Sequence, residues 1–149
     1  MRKNDKLIIS YLRQDSRIQL TKMSKKTKIP VSTLFERLKN YKKGIIKKNT
    51  AIVDFSKLGY NTRAKILLKC KRENIEQLRI FLERNKHTNE LFKVNNGFDF
   101  MVEFICTSMH ELEGHLEKLY KEFKIEKELV FYIIEEIKRE NFLSDPKKS

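Results

Sequence analysis

The chain has 149 residues and 40% hydrophobic content, enough for one ordinary core or two small ones. Its formal charge of +13 is lopsided: residues 1–50 hold 15 bases and 3 acids, net +12, and the remainder holds 18 and 17, net +1. A cationic first third points to a polyanion, nucleic acid ahead of an anionic membrane surface, through Coulomb attraction and counterion release.

No run of about 18 apolar residues offers a membrane span, and no stretch pairs a basic face with a broad apolar one. The opening MRKNDKLIIS lacks the apolar core and cleavage pattern of a signal peptide. Cys70 and Cys106 sit in apolar runs and read as small buried hydrophobes of a reducing, cytoplasmic compartment.

The first predicted helix runs from Lys6 to Gln14, capped by Asn4 or Asp5, with Leu7, Ile8, Tyr11 and Leu12 as its apolar stripe. Asp15-Ser16 breaks it. A second helix, for which Thr21 is the candidate cap, carries Leu20, Met23 and Thr27 on one side and Lys22, Lys25 and Lys26 on the other. A tight turn at Lys28–Pro30 leads to a third helix, Val31–Lys42, closed by Gly44 as its C′ residue, before Ile45-Ile46 returns to the core. Three helices with a sharp turn before the last make a helix-turn-helix unit over residues 1–46.

The third helix has a thin apolar stripe, Leu34, Leu38 and Tyr41. That leaves Ser32, Thr33, Glu36, Arg37, Lys39 and Asn40 facing outward, a surface suited to the DNA major groove. Ser32, Thr33 and Asn40 are the candidates for base edges. Lys39 and Lys43, with Lys42, Lys47 and Lys48, suit phosphates, which orient without specifying. Arg37 reads equally as a base reader or as an ion-pair partner of Glu36 or Asp54. Phe35 lies off the stripe; packing against the first helix is favoured over contact with a thymine methyl.

Residues 47–61 read as a linker, with KKNTAIVD as a connecting strand and a turn at Leu58-Gly59-Tyr60. The periodicity then changes. Strands are predicted over 63–71, 89–95, 98–107 and 128–137, and helices over 73–84 and 109–123, with Ser108 as a cap and Asn96-Gly97 as a hairpin turn. Residues 62–141 thus form a ferredoxin-like βαββαβ domain, followed by a basic tail over 142–149. The fold class is α+β. Two helices cover one face of a four-stranded sheet, yet the strands at 98–107 and 128–137 are apolar on both faces. The uncovered face predicts a homodimer through the sheet.

His110 and His115 are five apart, not the i, i+4 of a zinc helix, and His87 reads as an exposed loop residue, so no metal site is expected. Asp99 has no base, nucleophile or oxyanion donor beside it in sequence, so no enzyme activity and no cofactor is expected.

Taken together, the chain resembles the Lrp/AsnC family of prokaryotic transcription regulators, in an archaeal-type form. The residues that carry the resemblance are Asp15-Ser-Arg-Ile18, Leu34 with Glu36-Arg37-Leu38, Gly44-Ile-Ile46, Thr50-Ala-Ile-Val-Asp54, Leu58-Gly59, Gly97-Phe-Asp-Phe100 and Glu135-Glu-Ile-Lys138. Membership implies dimers that often assemble into tetramers or octamers, binding to double-stranded operator DNA, and response to an amino-acid effector. The resemblance places that effector near Asn96, Gly97, Phe98 and Asp99, in a cleft between dimers. Pro30 stands where the family has a Ser or Thr cap, Lys124 where it has Gly, and Val130 where it often has a hydroxyl residue. An architectural protein that coats DNA with little sequence preference is the alternative reading, supported by the heavy lysine content.

Overall fold

In a computed structural model, residues 3–147 are described. They divide into two compact units: the chain up to Ile52 together with the segment from Ile137, and the stretch Val53–Glu136. Among the described residues no helix is long and apolar enough to cross a membrane.

The first unit contains α1 (Lys3–Gln14), α2 (Leu20–Thr27) and α3 (Val31–Tyr41). Each helix sends side chains into one small core: Ile8 from α1, Met23 from α2, Leu34 and Tyr41 from α3, with Ile29 from the turn. Asn4 and Asp5 lie inside the first turn of α1 rather than capping it. Gln19, not Thr21, precedes α2, and makes no side-chain cap. The turn between α2 and α3 is made by Lys28 at φ +60° and by Pro30, whose φ of −57° suits a helix start. Thr27 stiffens it: its hydroxyl donates to the Met23 carbonyl at 2.9 Å and accepts from the Ile29 N–H at 3.3 Å.

Gly44 is not a left-handed cap. The end of α3 is closed by the Ile45 and Ile46 N–H groups, which both donate to the Tyr41 carbonyl at 2.8 Å. Ile46 then packs on the core while Ile45 stays exposed. The expected strand over 47–54 does not form, and none of the described strands pairs with it.

The second unit opens with a single 3₁₀ turn, Phe55–Leu58, capped by Asp54 and ended by Gly59 at φ +88°. Next come β1 (Thr62–Cys70), α4 (Ile75–Arg84), β2 (Thr88–Lys93), β3 (Phe100–Cys106), α5 (Met109–Phe123) and β4 (Ile125–Tyr132). The strands are ordered β2-β3-β1-β4, all antiparallel, the ferredoxin-like arrangement. Leu78 and Leu82 of α4 and Leu112, Leu116 and Leu119 of α5 pack on Ala64, Ile66, Leu68, Val102 and Phe104. Ser108 caps α5 by accepting from the Glu111 N–H at 3.2 Å. Lys124, in the place of the family's Gly, takes the left-handed turn after α5 at φ +45°.

The last strand ends at Tyr132 rather than Ile137. Ile133 N–H still donates to the Arg63 carbonyl at 2.8 Å, and β1 begins at Thr62, opposite Ile134, so Glu135–Ile137 lie beyond the end of β1. Ile134 and Ile137 are left almost fully exposed. The helix-free face of the sheet carries a row in direct register across all four strands: Phe92, Met101, Leu67 and Leu129. Phe131 lies one row away, and its ring and that of Phe92 are about half exposed. Beside this row Glu103 is 1% exposed, yet it accepts from Arg63 Nε at 2.5 Å and Asn89 Nδ2 at 2.5 Å. Arg63 also reaches Glu136, and Lys65 pairs with Glu90 at 3.1 Å.

Candidate nucleic-acid interface

Successive residues of an α-helix are about 100° apart, so residues spaced by three or four share a face. On α3, Ser32, Phe35, Glu36, Lys39 and Asn40 form one exposed stripe, continued by Lys43 just past the helix end. Leu34 and Tyr41 form the buried opposite side. Lys22, Lys25, Lys26 and Lys28 are exposed on α2 and its turn, and Lys42, Lys47 and Lys48 after α3. Thr33 and Arg37 fall on the flank and are half-buried.

Two expectations are corrected here. Phe35 does not pack inward; at 57% exposure it stands in the middle of the outward stripe. The sequence signal was its spacing, three after Ser32 and four before Lys39, outweighed by its hydrophobicity. Arg37 is neither outward nor paired with Glu36 or Asp54. Its Nη1 donates to Asp5 Oδ1 at 2.8 Å, and Tyr41 Oη donates to the same oxygen at 2.6 Å. This ties α1 to α3. Burial, then the hydrogen bond to Asp5, pushes the Tyr41 hydroxyl up from 10.0 to about 12, so it stays a donor at any ordinary pH. Lys26 adds a cation over the Tyr11 ring, 5.3 Å from its centre.

The hairpin at the other predicted site has Asn96 at φ +60° and Gly97 at φ +85°, the pair of positive angles a tight hairpin turn demands. Both are exposed, and Phe98 lies under the Lys127 ammonium at 4.7 Å. Asp99 is engaged in the sheet: its carboxylate accepts from the Cys70 N–H at 3.0 Å, and its own N–H donates to the Leu68 carbonyl at 2.9 Å.

His87 is not an exposed loop residue. It is 8% exposed, and it gathers with Cys106 and His115 so that one ligand atom from each lies within 4.8 Å of the others. His110 is exposed and outside this group.

A three-helix unit presenting one polar helix face among lysines, followed by a ferredoxin-like sheet, defines a helix-turn-helix protein with an appended ferredoxin-like domain. Residues 1–47 match the winged helix-turn-helix DNA-binding family model. The chain is 33% identical over 114 residues, 76% of each chain, to the HTH-type transcriptional regulator FL11 of Pyrococcus furiosus. Its fold is similar to Bacillus subtilis LrpC, with a TM-score of 0.84 at 22% identity, covering 93% of this chain and 97% of that one. It is also similar to a transcriptional regulator of Neisseria meningitidis in complex with L-Met, with a TM-score of 0.85 at 16% identity and 93% of each chain covered. The chain belongs to the Lrp/AsnC family of helix-turn-helix transcriptional regulators.

Proposed function

We propose that this protein is a cytoplasmic homodimer whose two α3 helices enter successive major grooves of an operator, reading a pseudo-palindrome. The observation that carries the reading is the outward stripe of α3, flanked by a net +12 over residues 1–50. Ser32, Asn40 and Glu36 offer hydrogen-bonding groups to base edges, and Phe35 offers an apolar surface to thymine methyls. Lys39, Lys43 and Lys47 meet phosphates. Arg37, turned to the flank and held by Asp5, braces the helix rather than reading bases, and Thr33 sits on the same flank.

The dimer forms through the row Phe92, Met101, Leu67 and Leu129 with Phe131, an apolar surface that a helix-free sheet face leaves in water. Leu129→Glu with Phe131→Glu places two carboxylates in that surface and yields a monomer by sedimentation. A variant that remains dimeric refutes this interface.

An amino acid is the proposed effector, in line with the L-Met bound to the Neisseria meningitidis regulator. On the hairpin, the exposed Asn96-Gly97 backbone and the Phe98–Lys127 pair are available to it, whereas Asp99 holds the strand ends. Selection of bound DNA from a random pool, with and without the common amino acids, tests the whole reading. Recovery of a two-fold-symmetric site supports it. A pool that stays random at moderate salt supports the architectural alternative, which the lysine-rich flanks of α3 also favour.

A further inference from the structure

We infer that His87, Cys106 and His115 form a binding site for one transition-metal ion of the zinc class in the second unit. The three residues come from different segments: His87 precedes β2, Cys106 ends β3 and His115 lies in the middle of α5. An imidazole pair with a thiolate is a donor set that selects zinc-like ions over magnesium or calcium. Bond lengths of about 2.0–2.3 Å put tetrahedral ligand atoms roughly 3.5 Å apart, so the observed grouping closes by side-chain shifts of about an ångström.

The second observation is the way His87 is held. Its Nδ1 faces the Ile105 carbonyl at 3.0 Å; a carbonyl only accepts, so Nδ1 carries the hydrogen. In the neutral ring Nε2 then offers a lone pair. Yet Nε2 faces another acceptor, Glu111 Oε1, at 3.3 Å. Two acceptors at that distance need a positive centre, either a proton on Nε2 or a metal ion beside both. Glu111 is itself fixed, its Oε2 accepting from the Thr107 N–H at 2.7 Å and the Thr107 hydroxyl at 2.8 Å. A ring nitrogen donating to a carbonyl while its partner coordinates is the arrangement that orients metal-bound histidines. Glu111 stands beside His87 but outside the group of three donors, so it orients the His87 ring rather than completing the set.

The site has a route from solvent. An open groove of about 660 Å³ between α4 and α5 is lined by Ile80, Phe81, Arg84, His115 and Lys118, so His115 can receive the ion from outside. The bound ion would join α5 to the ends of β2 and β3. The site stands apart from the DNA reading: a chain that ignored DNA would still bind the metal.

The test is titration of the untagged, fully reduced full chain with Co²⁺. One equivalent gives a thiolate-to-cobalt charge-transfer band together with the strong visible bands of a tetrahedral site. Cys106→Ser removes the charge-transfer band, and His115→Gln weakens binding at least tenfold. Cys70→Ser and His110→Ala change neither. Zn²⁺ raises the thermal midpoint of the wild type but not of His115→Gln. No charge-transfer band, or one that survives Cys106→Ser, overturns the site. Should Cys106→Ser not fold, His115→Gln decides: unchanged Co²⁺ affinity refutes the proposal.

Discussion

Arg37→Ala separates a helix brace from a base reader. The change removes the guanidinium 2.8 Å from Asp5, a pair in which the two side chains are 23% and 19% exposed. Hydrogen bonds to a charged group contribute about 1.5–3 kcal/mol. Asp5 retains the Tyr41 hydroxyl, and one-fifth exposure screens the pair, so the loss is about 1–2 kcal/mol. That corresponds to a roughly 5- to 30-fold larger opening equilibrium for the packing of α1 on α3. Amide hydrogen exchange reads this directly: α1 and α3 exchange faster by that factor, while β1 and β3 do not change. Binding to all DNA weakens together, and the base preferences from selection stay as they were. Phe35→Ala gives the opposite pattern. Its ring is 57% exposed, so exchange is unchanged, but preference for thymine at one position drops by about 1 kcal/mol. If Arg37→Ala left exchange untouched and erased the preference at one operator position, Arg37 would be a reader and the brace argument would be wrong.

Tyr41→Phe isolates a pH dependence. The folded hydroxyl titrates near 12 against 10.0 when unfolded, so its contribution is complete below pH 10 and is lost as pH rises through 12, up to about 2–3 kcal/mol. Urea melts of wild type and Tyr41→Phe therefore converge across that window, and parallel curves would contradict it. Lys39→Ala and Lys43→Ala each reduce the slope of log affinity against log salt by about 1.8 in a dimer, one phosphate contact per protomer. An unchanged slope means the lysine does not touch the backbone. Arg63→Ala leaves the 1%-exposed Glu103 with Asn89 alone and destabilises the second unit by about 3 kcal/mol, whereas Arg63→Ala with Glu103→Gln recovers much of that loss. Equal melting midpoints for the single and double variants would show that the charge on Glu103 is not what matters.

Where one segment decides its own structure, the sequence was sufficient. The Ser108 cap and the run of leucines placed α5 at its observed bounds, Met109–Phe123. Asn96-Gly97 supplied the two positive φ angles of the hairpin. The alternation from Ala64 to Cys70 gave β1 its buried and half-buried sides. Charge asymmetry and the order of elements were enough to place a DNA-binding unit first and a ferredoxin-like sheet second.

Tertiary structure decided whatever depends on residues far apart in the chain. Arg37 meets Asp5 across 32 positions, so its role could not follow from the composition of α3. Phe35 faces outward because Leu34 and Tyr41 already fill the space against α1 and α2, and hydrophobicity alone does not say which of two neighbouring apolar residues a small core has room for. β4 stops at Tyr132, opposite Ala64, although Ile133–Ile137 is apolar enough for a strand; β1 itself reaches only two residues further, to Thr62. His87, Cys106 and His115 are individually unremarkable and become a donor set only when β2, β3 and α5 are folded together. Local propensity is written residue by residue. Pairing and burial are properties of the folded neighbourhood, and they fixed which of the sequence's many polar groups are free to act.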